Sequence, residues 1–450
     1  MALGSVVAMT ACGGGSSDSG AQATPAPPAA TLDSKFGLGG IVAAPDRSPP
    51  PPATVSAIAI QPDGKIVAAG SAGEPGSTFV KPMPAPALVR YNNDGTLDLS
   101  FGNAGTFAGP PLSIRRIVLQ PDGKIVALCA QNTLIRVNVD GSLDVTFGAA
   151  ATGIVELDVD TDTSINDLAL QSGGRILLAG YRQHSIDVRG VSVEFLLMRL
   201  TANGALDPSF GQGAGAVTTA INEVARIQAV AVTAGGAIVA AGDSRRRETS
   251  NDNNVAMAQY DADGTLDTKF GVGGVATAPM GSLLVRVNAM TLQSDGRIVV
   301  AGTTGTLVDA SFLHHFLMVR FLANGALDRD FGTGGMVNKS FDPKFDEASA
   351  VAMQSNGKIV AVGYAGAIGY PGSSSFLTAR FDSSGVLDPG FGNAGSALLA
   401  VNGGSWGNAL AIQPDGRIVA AGAAIISETD QRPEFALIRY LGDPVPGVAR

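Results

Sequence analysis

Residues 59–70 read Ala-Ile-Gln-Pro-Asp-Gly-Lys-Ile-Val-Ala-Ala-Gly, and residues 88–102 read Leu-Val-Arg-Tyr-Asn-Asn-Asp-Gly-Thr-Leu-Asp-Leu-Ser-Phe-Gly. In the first stretch, apolar residues flank a Pro-Asp-Gly turn, in which proline presets φ and glycine accepts a positive φ. In the second stretch, a short apolar run ends at an Asn-Asp-Gly turn. Together they predict a β-hairpin followed by a third strand.

Both stretches recur along the chain. The Pro-Asp-Gly-type turn and the Leu-x-Arg-Tyr-type strand each occur seven times, and short β candidates follow the Phe-Gly, for example at 40–43, 153–157 and 335–337. No helical periodicity of useful length intervenes, so we predict an all-β body with four strands per unit of about 60 residues. The Phe of Leu-Asp-x-x-Phe-Gly recurs at steps of 65, 46, 63, 60, 61 and 60 residues, as Phe36, Phe101, Phe147, Phe210, Phe270, Phe331 and Phe391.

Antiparallel four-stranded units of this length are typical of β-propeller blades. Seven sets of motifs predict one seven-bladed β-propeller domain over residues 32–450. The body begins with a Leu-Asp-x-x-Phe-Gly tail at 32–37, whereas the last unit ends at Tyr440 without such a tail. We therefore expect the N-terminal strand to close the last blade. An open β-solenoid is the alternative, and it would need capping segments that the sequence does not show.

The same motifs resemble the delta-60 repeat of bacterial surface and secreted proteins, over residues 32–440. The resemblance implies a propeller-type fold and leaves the activity open. Two units depart from the pattern. Unit two lacks the long loop after Ala130, and unit four carries Ala-Gly-Gly at 234–236 and Gln259 in place of the usual arginine.

The N-terminus carries a different signal. Met9-Thr10-Ala11 directly before Cys12 resembles the lipobox of bacterial lipoproteins, which implies removal of residues 1–11 and lipidation of Cys12. No Lys or Arg precedes the apolar run, so we expect a start codon further upstream. Residues 12–31 are rich in Gly, Ser, Ala and Pro and predict a flexible tether. The alternative is an ordinary disordered N-terminus with an incidental cysteine.

The composition limits the partners and the compartment. The chain has 450 residues, 45% hydrophobic and 15% charged, and a net charge of -9, which is globular and argues against a nucleic-acid partner. Beyond the N-terminus no apolar stretch reaches the roughly 18 residues of a membrane span. We predict a cell-envelope protein, either lipid-anchored at the outer membrane or periplasm, or exported. Two cysteines cannot form a zinc cluster, and Cys129 is expected to act as a small buried hydrophobe.

One acidic residue recurs in every unit, which predicts a role in folding rather than chemistry. We expect it to accept hydrogen bonds from its own turn and to pair with the arginine that precedes the aromatic residue. Seven shallow calcium sites are the alternative. The recurring phenylalanines are expected to fill the core between blades. The acids are Asp33, Asp98, Asp144, Asp207, Asp267, Asp328 and Asp388.

Recognition is expected on the loops between the second and third strands, because they are long and differ from unit to unit. They span 71–86, 182–194, 243–254, 303–315, 364–375 and 423–434. Adjacent His314 and His315 would point to opposite faces of a strand, so we expect no metal site. The candidate binding residues on this side are Arg245, Arg246, Arg247, His184, His314, His315 and Trp406.

No catalytic residue is predicted, since the chain has no Gly-x-Ser-x-Gly elbow and no Ser, His and acid at recognisable spacing. The innermost strands are expected to carry small and apolar residues. We therefore predict a monomeric, non-catalytic binding or interaction scaffold without a cofactor, whose partner is an envelope protein or polysaccharide. The alternatives are a lyase or hydrolase acting at the mouth of a central channel, and a purely structural envelope protein.

Overall fold

The computed structural model describes residues 31–43, 53–72, 85–107, 109–110, 112–185, 190–246, 253–282, 284–308, 311–366, 374–401, 404–425 and 433–448. Residues 1–30, which include Cys12 and most of the predicted tether, lie outside these ranges. The regular structure is β, with short 3-10 turns at Ala130–Asn132, Ser172–Gly174 and Gly211–Gly213. Within the described ranges no helix is long and apolar enough to cross a bilayer.

Within each of the seven sequence units the described strands pair antiparallel. Units three and four are joined into one eight-stranded sheet by a parallel contact between Val193 and Val224. The strands of units one to seven, in sheet order, are as follows: Ala53–Ile60, Ile66–Ala72 and Ala85–Tyr91; Ile114–Leu119, Ile125–Cys129, Thr133–Val137 and Ile154–Glu156; Thr163–Leu170, Ile176–Ser185, Val191–Leu200 and Ala216–Thr219; Val224–Val232, Ile238–Arg245, Asn253–Tyr260 and Val275–Pro279; Leu284–Leu292, Ile298–Val308, Ser311–Phe321 and Met336–Lys339; Asp346–Met353, Ile359–Gly366, Ser374–Phe381 and Ser396–Ala400; Ser405–Ile412, Ile418–Ala424, Glu434–Tyr440 and Ile41–Ala43.

The turns form as the sequence predicts. Gly64 has a φ of +84° and donates its N–H to Gln61 O at 2.9 Å, which closes the first hairpin of unit one. The two kinds of turn lie on one side of the molecule, since Gln171 of a first turn donates to Ala262 O of the next unit's second turn at 3.1 Å. We call this side the turn face. The opposite side, with the loops between second and third strands, is the loop face.

In the described ranges the core comprises seven hydrophobic clusters, and each lies between two consecutive units. Alternate residues of a second strand serve different neighbours: Ile66 and Ala68 pack toward unit seven, whereas Val67 and Ala69 pack toward unit two. Both faces of these strands are therefore buried, which explains their continuous apolar sequence. Burial stabilises the fold by about 1.5–3 kcal/mol per large side chain.

The first and last units contact each other directly. Ile41–Ala43 pairs antiparallel with Glu434–Tyr440, the pairing that the sequence predicts for the outer strand of unit seven. The first strand of each unit contacts the first strand of the next, and that of unit seven contacts that of unit one. Across this last contact, Asn408 Nδ2 donates to Val55 O at 2.9 Å.

Unit one departs from the predicted four strands. Its outer segment contributes only an isolated bridge, between Val89 and Thr106, and a hydrogen bond from Phe107 N to Leu88 O at 2.8 Å. Pro110 follows shortly after and has no N–H to extend a ladder. The prediction of a full fourth strand in every unit is therefore wrong for unit one.

Candidate functional site

The recurring aspartates lie in a network of hydrogen bonds and cations on the turn face. In unit five, Asp328 Oδ1 accepts the N–H of Asp330 at 3.3 Å, and Oδ2 accepts Arg320 Nε at 2.8 Å. A second cation, Arg297, lies with its Nε 3.5 Å from Oδ2. The carboxylate thus fixes its own turn and joins two strands of its sheet.

The same arrangement recurs in six units. Each of these arginines also stacks on the phenylalanine of its motif, with the guanidinium carbon 4.4–5.0 Å from the ring centroid. The phenylalanines are buried and so fill the core as well. The pairs are Arg90 with Asp98, Arg136 with Asp144, Arg199 with Asp207, Arg320 with Asp328, Arg380 with Asp388, and Arg439 with Asp33.

The second cation is the basic residue that follows each first turn, a role that the motif comparison did not predict. Lys65 Nζ lies 3.0 Å from Asp98 Oδ2, and Lys124 Nζ lies 2.8 Å from Asp144 Oδ2. Burial alone would raise the pKa of Asp98, but hydrogen bonds from Ser100 and Lys65 hold that pKa well below its usual range. Two positive side chains at each carboxylate disfavour Ca²⁺ in these units.

Unit four keeps the acid without the cations. Gln259 replaces the arginine, and Ala237 replaces the basic residue after the turn. Asp267 Oδ1 still accepts the N–H of Lys269 at 3.0 Å, so the local turn is unchanged.

The loop-face candidates are spread over several units. Arg245 and Arg246 are exposed at the end of a second strand, and Arg247 lies outside the described residues, as do the middles of the long loops. His184 Nε2 lies 4.0 Å from Glu194 Oε1, across one hairpin. Trp406 is half-buried and pairs with Ala423.

The two adjacent histidines have different neighbours. His314 lies 5.2 Å from Phe345, ring centroid to ring centroid, and burial lowers its pKa. His315 Nδ1 lies 2.7 Å from Oγ of Ser340, directly after the outer strand Met336–Lys339. Over the described ranges, no group of three or more His, Cys, Asp or Glu is arranged to hold a metal ion. Of the predicted loop-face residues that the structure describes, Arg245 and His314 both lie within electrostatic range of the groups around Arg286.

The first strands contain charged residues that were not predicted. In six units the second strand has a glycine at the same place. A Cβ added to this glycine would collide with the carbonyl of one first-strand residue, so these first-strand residues occupy equivalent positions near the loop face. The prediction of small and apolar residues on these strands is wrong for units two to six, since units two and three carry Arg115, Arg116 and Asp167. The aligned residues are Thr54, Ser164, Arg226, Arg286, Glu347 and Trp406.

Arg286, on the first strand of unit five, is exposed. Its charge acts on Asp243 of unit four, His314 of unit five and Glu347 of unit six. Glu347, 9% exposed, accepts Asn288 Nδ2 at 2.8 Å and the Tyr364 hydroxyl at 3.1 Å on its two oxygens. Burial raises the pKa of Glu347, while the charge of Arg286 opposes that rise. Both oxygens of this acid are thus already hydrogen-bonded within the protein.

A second acid of this cluster is Asp243, on the second strand of unit four. Burial raises its pKa to about 6, and the charges of Arg226, Arg286 and Arg245 oppose that rise. Arg226 pairs with Asp243 in the hairpin register and lies 5.3 Å from the Tyr181 ring centroid. We name Arg226, Asp243, Arg286, Glu347 and Tyr364 the inner cluster. Comparing the units position by position could have revealed it, because unit one has Thr54 where units four and five have arginine.

Two further features do not define a site. A cavity of about 650 Å³ on the turn face is lined by the repeated turns of units five to seven, including Gln293, Arg297, Gln354 and Gln413. Cys129 is buried, and burial raises its pKa to about 12, so the thiol stays protonated at neutral pH.

The repeats, the sheets and the shared core clusters define a propeller-type repeat protein. The chain belongs to the family described as a domain of unknown function (DUF5122) beta-propeller, which matches more than half of it. The matched segments are 61–101, 120–147, 171–210, 236–270, 293–331, 354–391 and 413–443. This match bears out the predicted propeller-type repeat, whereas the delta-60 name and the lipoprotein N-terminus stay predictions. No curated protein matches the chain.

Several solved structures are similar in part. A glucose dehydrogenase has 11% identity and a TM-score of 0.39, over 73% of this chain and 99% of that one. YCF48 bound to D1 peptide has 10% identity and a TM-score of 0.43, over 90% and 96%. BamB from Moraxella catarrhalis has 11% identity and a TM-score of 0.36, with 85% of each chain covered. These similarities are too low to indicate a function.

Proposed function

We propose that the seven units form one closed seven-bladed ring, which serves as a non-catalytic binding protein of the bacterial cell envelope. The contacts between successive first strands and the core cluster shared by units seven and one support the ring. The inner cluster is the proposed binding site. Its ligand is an anionic group, for which we propose the carboxylates of an acidic envelope polysaccharide.

The exposed guanidinium of Arg286 carries this proposal. Arginine binds carboxylates through two parallel hydrogen bonds, and such charge-assisted bonds are stronger than neutral ones. The acids of the cluster favour binding over proton transfer, because Glu347 is already hydrogen-bonded on both oxygens and Asp243 faces three arginines. The long, variable loops begin and end on the same face, and we propose that they contribute further contacts.

The test is binding of oligogalacturonate, with neutral maltohexaose as the comparison ligand. Arg226→Gln with Arg286→Gln should weaken oligogalacturonate binding at least tenfold, since each charged hydrogen bond contributes about 1.5–3 kcal/mol. Arg329→Gln removes an exposed charge on the turn face and should leave the affinity unchanged. Equal affinity of the double variant and the wild type, or equal affinity for the neutral sugar, would overturn the proposed site.

An enzyme, a lyase or hydrolase, is the second candidate. The pKa of Asp243, raised to about 6, is suited to proton transfer near neutral pH. Chain shortening of the same oligosaccharides by the wild type, abolished in Asp243→Asn, would identify an enzyme and contradict the non-catalytic role.

Membrane anchoring through Cys12 is tested separately. A chain expressed from an upstream start should partition into detergent, because two or more acyl chains give stable anchoring. Cys12→Ser should move it to the aqueous phase. Recovery of both proteins in the aqueous phase would remove the lipoprotein hypothesis.

A further inference from the structure

Six units hold an arginine guanidinium at the same place on the turn face, and in five of them the same three kinds of group surround it. In unit five, Arg320 contacts Asp328 Oδ2 at 2.8 Å, donates to the carbonyl of Ser383 in the next unit, and lies 4.5 Å from the Phe331 ring centroid. Its side chain is only 4% exposed. The carbonyl of the next unit is also the acceptor in four others: Arg90 with Val139, Arg136 with Ala202, Arg199 with Ala262, and Arg439 with Asn93.

Unit four has the same surroundings at this place. Asp267 N donates to Gln259 O at 2.9 Å, as Asp328 N does to Arg320 O at 3.0 Å. Phe270 is 1% exposed, in the position of Phe331. Gly271 N donates to Asn324 O at 2.7 Å, which holds the next turn beside Asp267 as in the other units. The carboxylate, the ring and the neighbouring turn are therefore all present.

What differs in unit four is the set of side chains that normally fill this place. The side chain of Gln259 reaches only as far as the Nε of an arginine. It therefore does not occupy the position that the guanidinium carbon and its two amino groups have in the other units. Ala237 cannot supply the second cation, and Thr233 replaces the glutamine that accepts from Arg199 in unit three. Within the part of the chain that the structure describes, no basic side chain lies within ion-pair distance of Asp267.

We propose that unit four binds an arginine side chain of a partner protein, which inserts between Asp267, Phe270 and the turn at 322–325. The five internal arginines that make all three contacts are the template for this site. A planar guanidinium can donate to a carboxylate and a backbone carbonyl at once while stacking on a ring, which the ammonium of lysine cannot do equally well. The site lies on the turn face, so it is independent of the loop-face site proposed above.

The probe is a capped tripeptide, acetyl-Gly-Arg-Gly-amide, titrated into the full chain by calorimetry. The matched peptide replaces Arg by citrulline, which has nearly the same shape without the charge. We expect saturable binding of the arginine peptide and at least tenfold weaker binding of the citrulline peptide. Arg286→Gln, on the other face, should bind the arginine peptide with wild-type affinity.

Two variants test the location of the site. Gln259→Arg with Ala237→Lys restores the internal cations and should abolish peptide binding while raising the melting temperature. Asp267→Asn keeps the shape without the charge and should weaken binding at least tenfold in a protein whose cooperative melting shows that it is folded. No saturable binding to the wild type, or undiminished binding to either variant, would overturn the proposal.

Discussion

Units four and five share one backbone arrangement and differ in charge. In both, the aspartate of the motif donates its N–H to the third strand and its Oδ1 accepts an N–H two residues later. Unit five adds two arginines around Asp328, whereas unit four leaves Asp267 without either. The turn therefore needs the acid as a hydrogen-bond acceptor, while Arg320 also joins unit five to the next unit through the carbonyl of Ser383.

The largest expected effect comes from removing the acid of unit seven while its arginines stay, which is the opposite of unit four, where the acid stands without arginines. A chain that starts at residue 44 lacks Asp33, so Arg439 loses its carboxylate and Arg417 keeps only Asp415. The chain also lacks Phe36 and the outer strand. We expect a loss of roughly 5 kcal/mol or more, from the broken buried pair and the lost apolar burial. The exposed edge of the last sheet should also promote aggregation.

This deletion is measured by thermal unfolding and size-exclusion chromatography, with a chain starting at residue 31 as the control. A deletion variant that stays monomeric with the melting temperature of the control would contradict the closed ring.

The second prediction compares replacement of the motif aspartate in unit five with its replacement in unit four. Asp328→Ala leaves the buried Arg320 without its carboxylate, while Arg297 keeps Asp295, and should cost about 3 kcal/mol. Asp267→Ala removes only a hydrogen-bond acceptor of the turn and should cost about 1 kcal/mol, as for a lost helix cap. Denaturant unfolding of both variants gives the two free energies. Equal losses would show that the cations of unit five add nothing.

The third prediction converts unit five into unit four. Arg320→Gln should cost about 2 kcal/mol, less than loss of the acid, because Arg297 still lies 3.5 Å from the carboxylate of Asp328. Gln259→Ala in unit four is the matched control and should cost about 0.5 kcal/mol. If both substitutions had the same effect in a denaturant titration, the arginine would not join the units.

The smallest effect concerns Asp243, whose pKa is raised, whereas the pKa of a motif aspartate such as Asp98 is lowered. A lowered pKa, as for Asp98, stabilises the fold above the unfolded value of about 4, and this contribution disappears as the pH falls below it. The pKa of Asp243 is raised to about 6, so its contribution is present below about pH 4 and is lost as the pH rises to about 6. Asp243→Asn should therefore gain stability relative to the wild type between pH 4 and 6, by less than about 1 kcal/mol after solvent screening.

Thermal unfolding of the wild type and Asp243→Asn at pH 4, 5, 6 and 7 measures this difference. A constant difference across that range would show that Asp243 does not titrate there.

Much of the fold was predictable because its signals are local. The hairpin at 53–72 follows from one Pro-Asp-Gly turn between apolar runs, and the outer strand of unit seven follows from the phase of the repeat. The missing fourth strand of unit one was not predicted, because the repeat suggested a strand where Pro110 ends the ladder. The loop-face candidates were chosen by loop length, which does not report whether side chains converge.

The sequence by itself determined the all-β class, the unit boundaries and the role of the recurring aspartate as a hydrogen-bond acceptor in its own turn. These features follow from turn chemistry and strand periodicity, which act within about ten residues. Only the tertiary structure decided which side chains of different units meet. Arg226, Arg286 and Glu347 are about 60 residues apart from one to the next. The carbonyls that five of the repeated arginines reach belong to another unit. Such contacts depend on how the sheets pack against one another, and no pattern within a single unit encodes that packing.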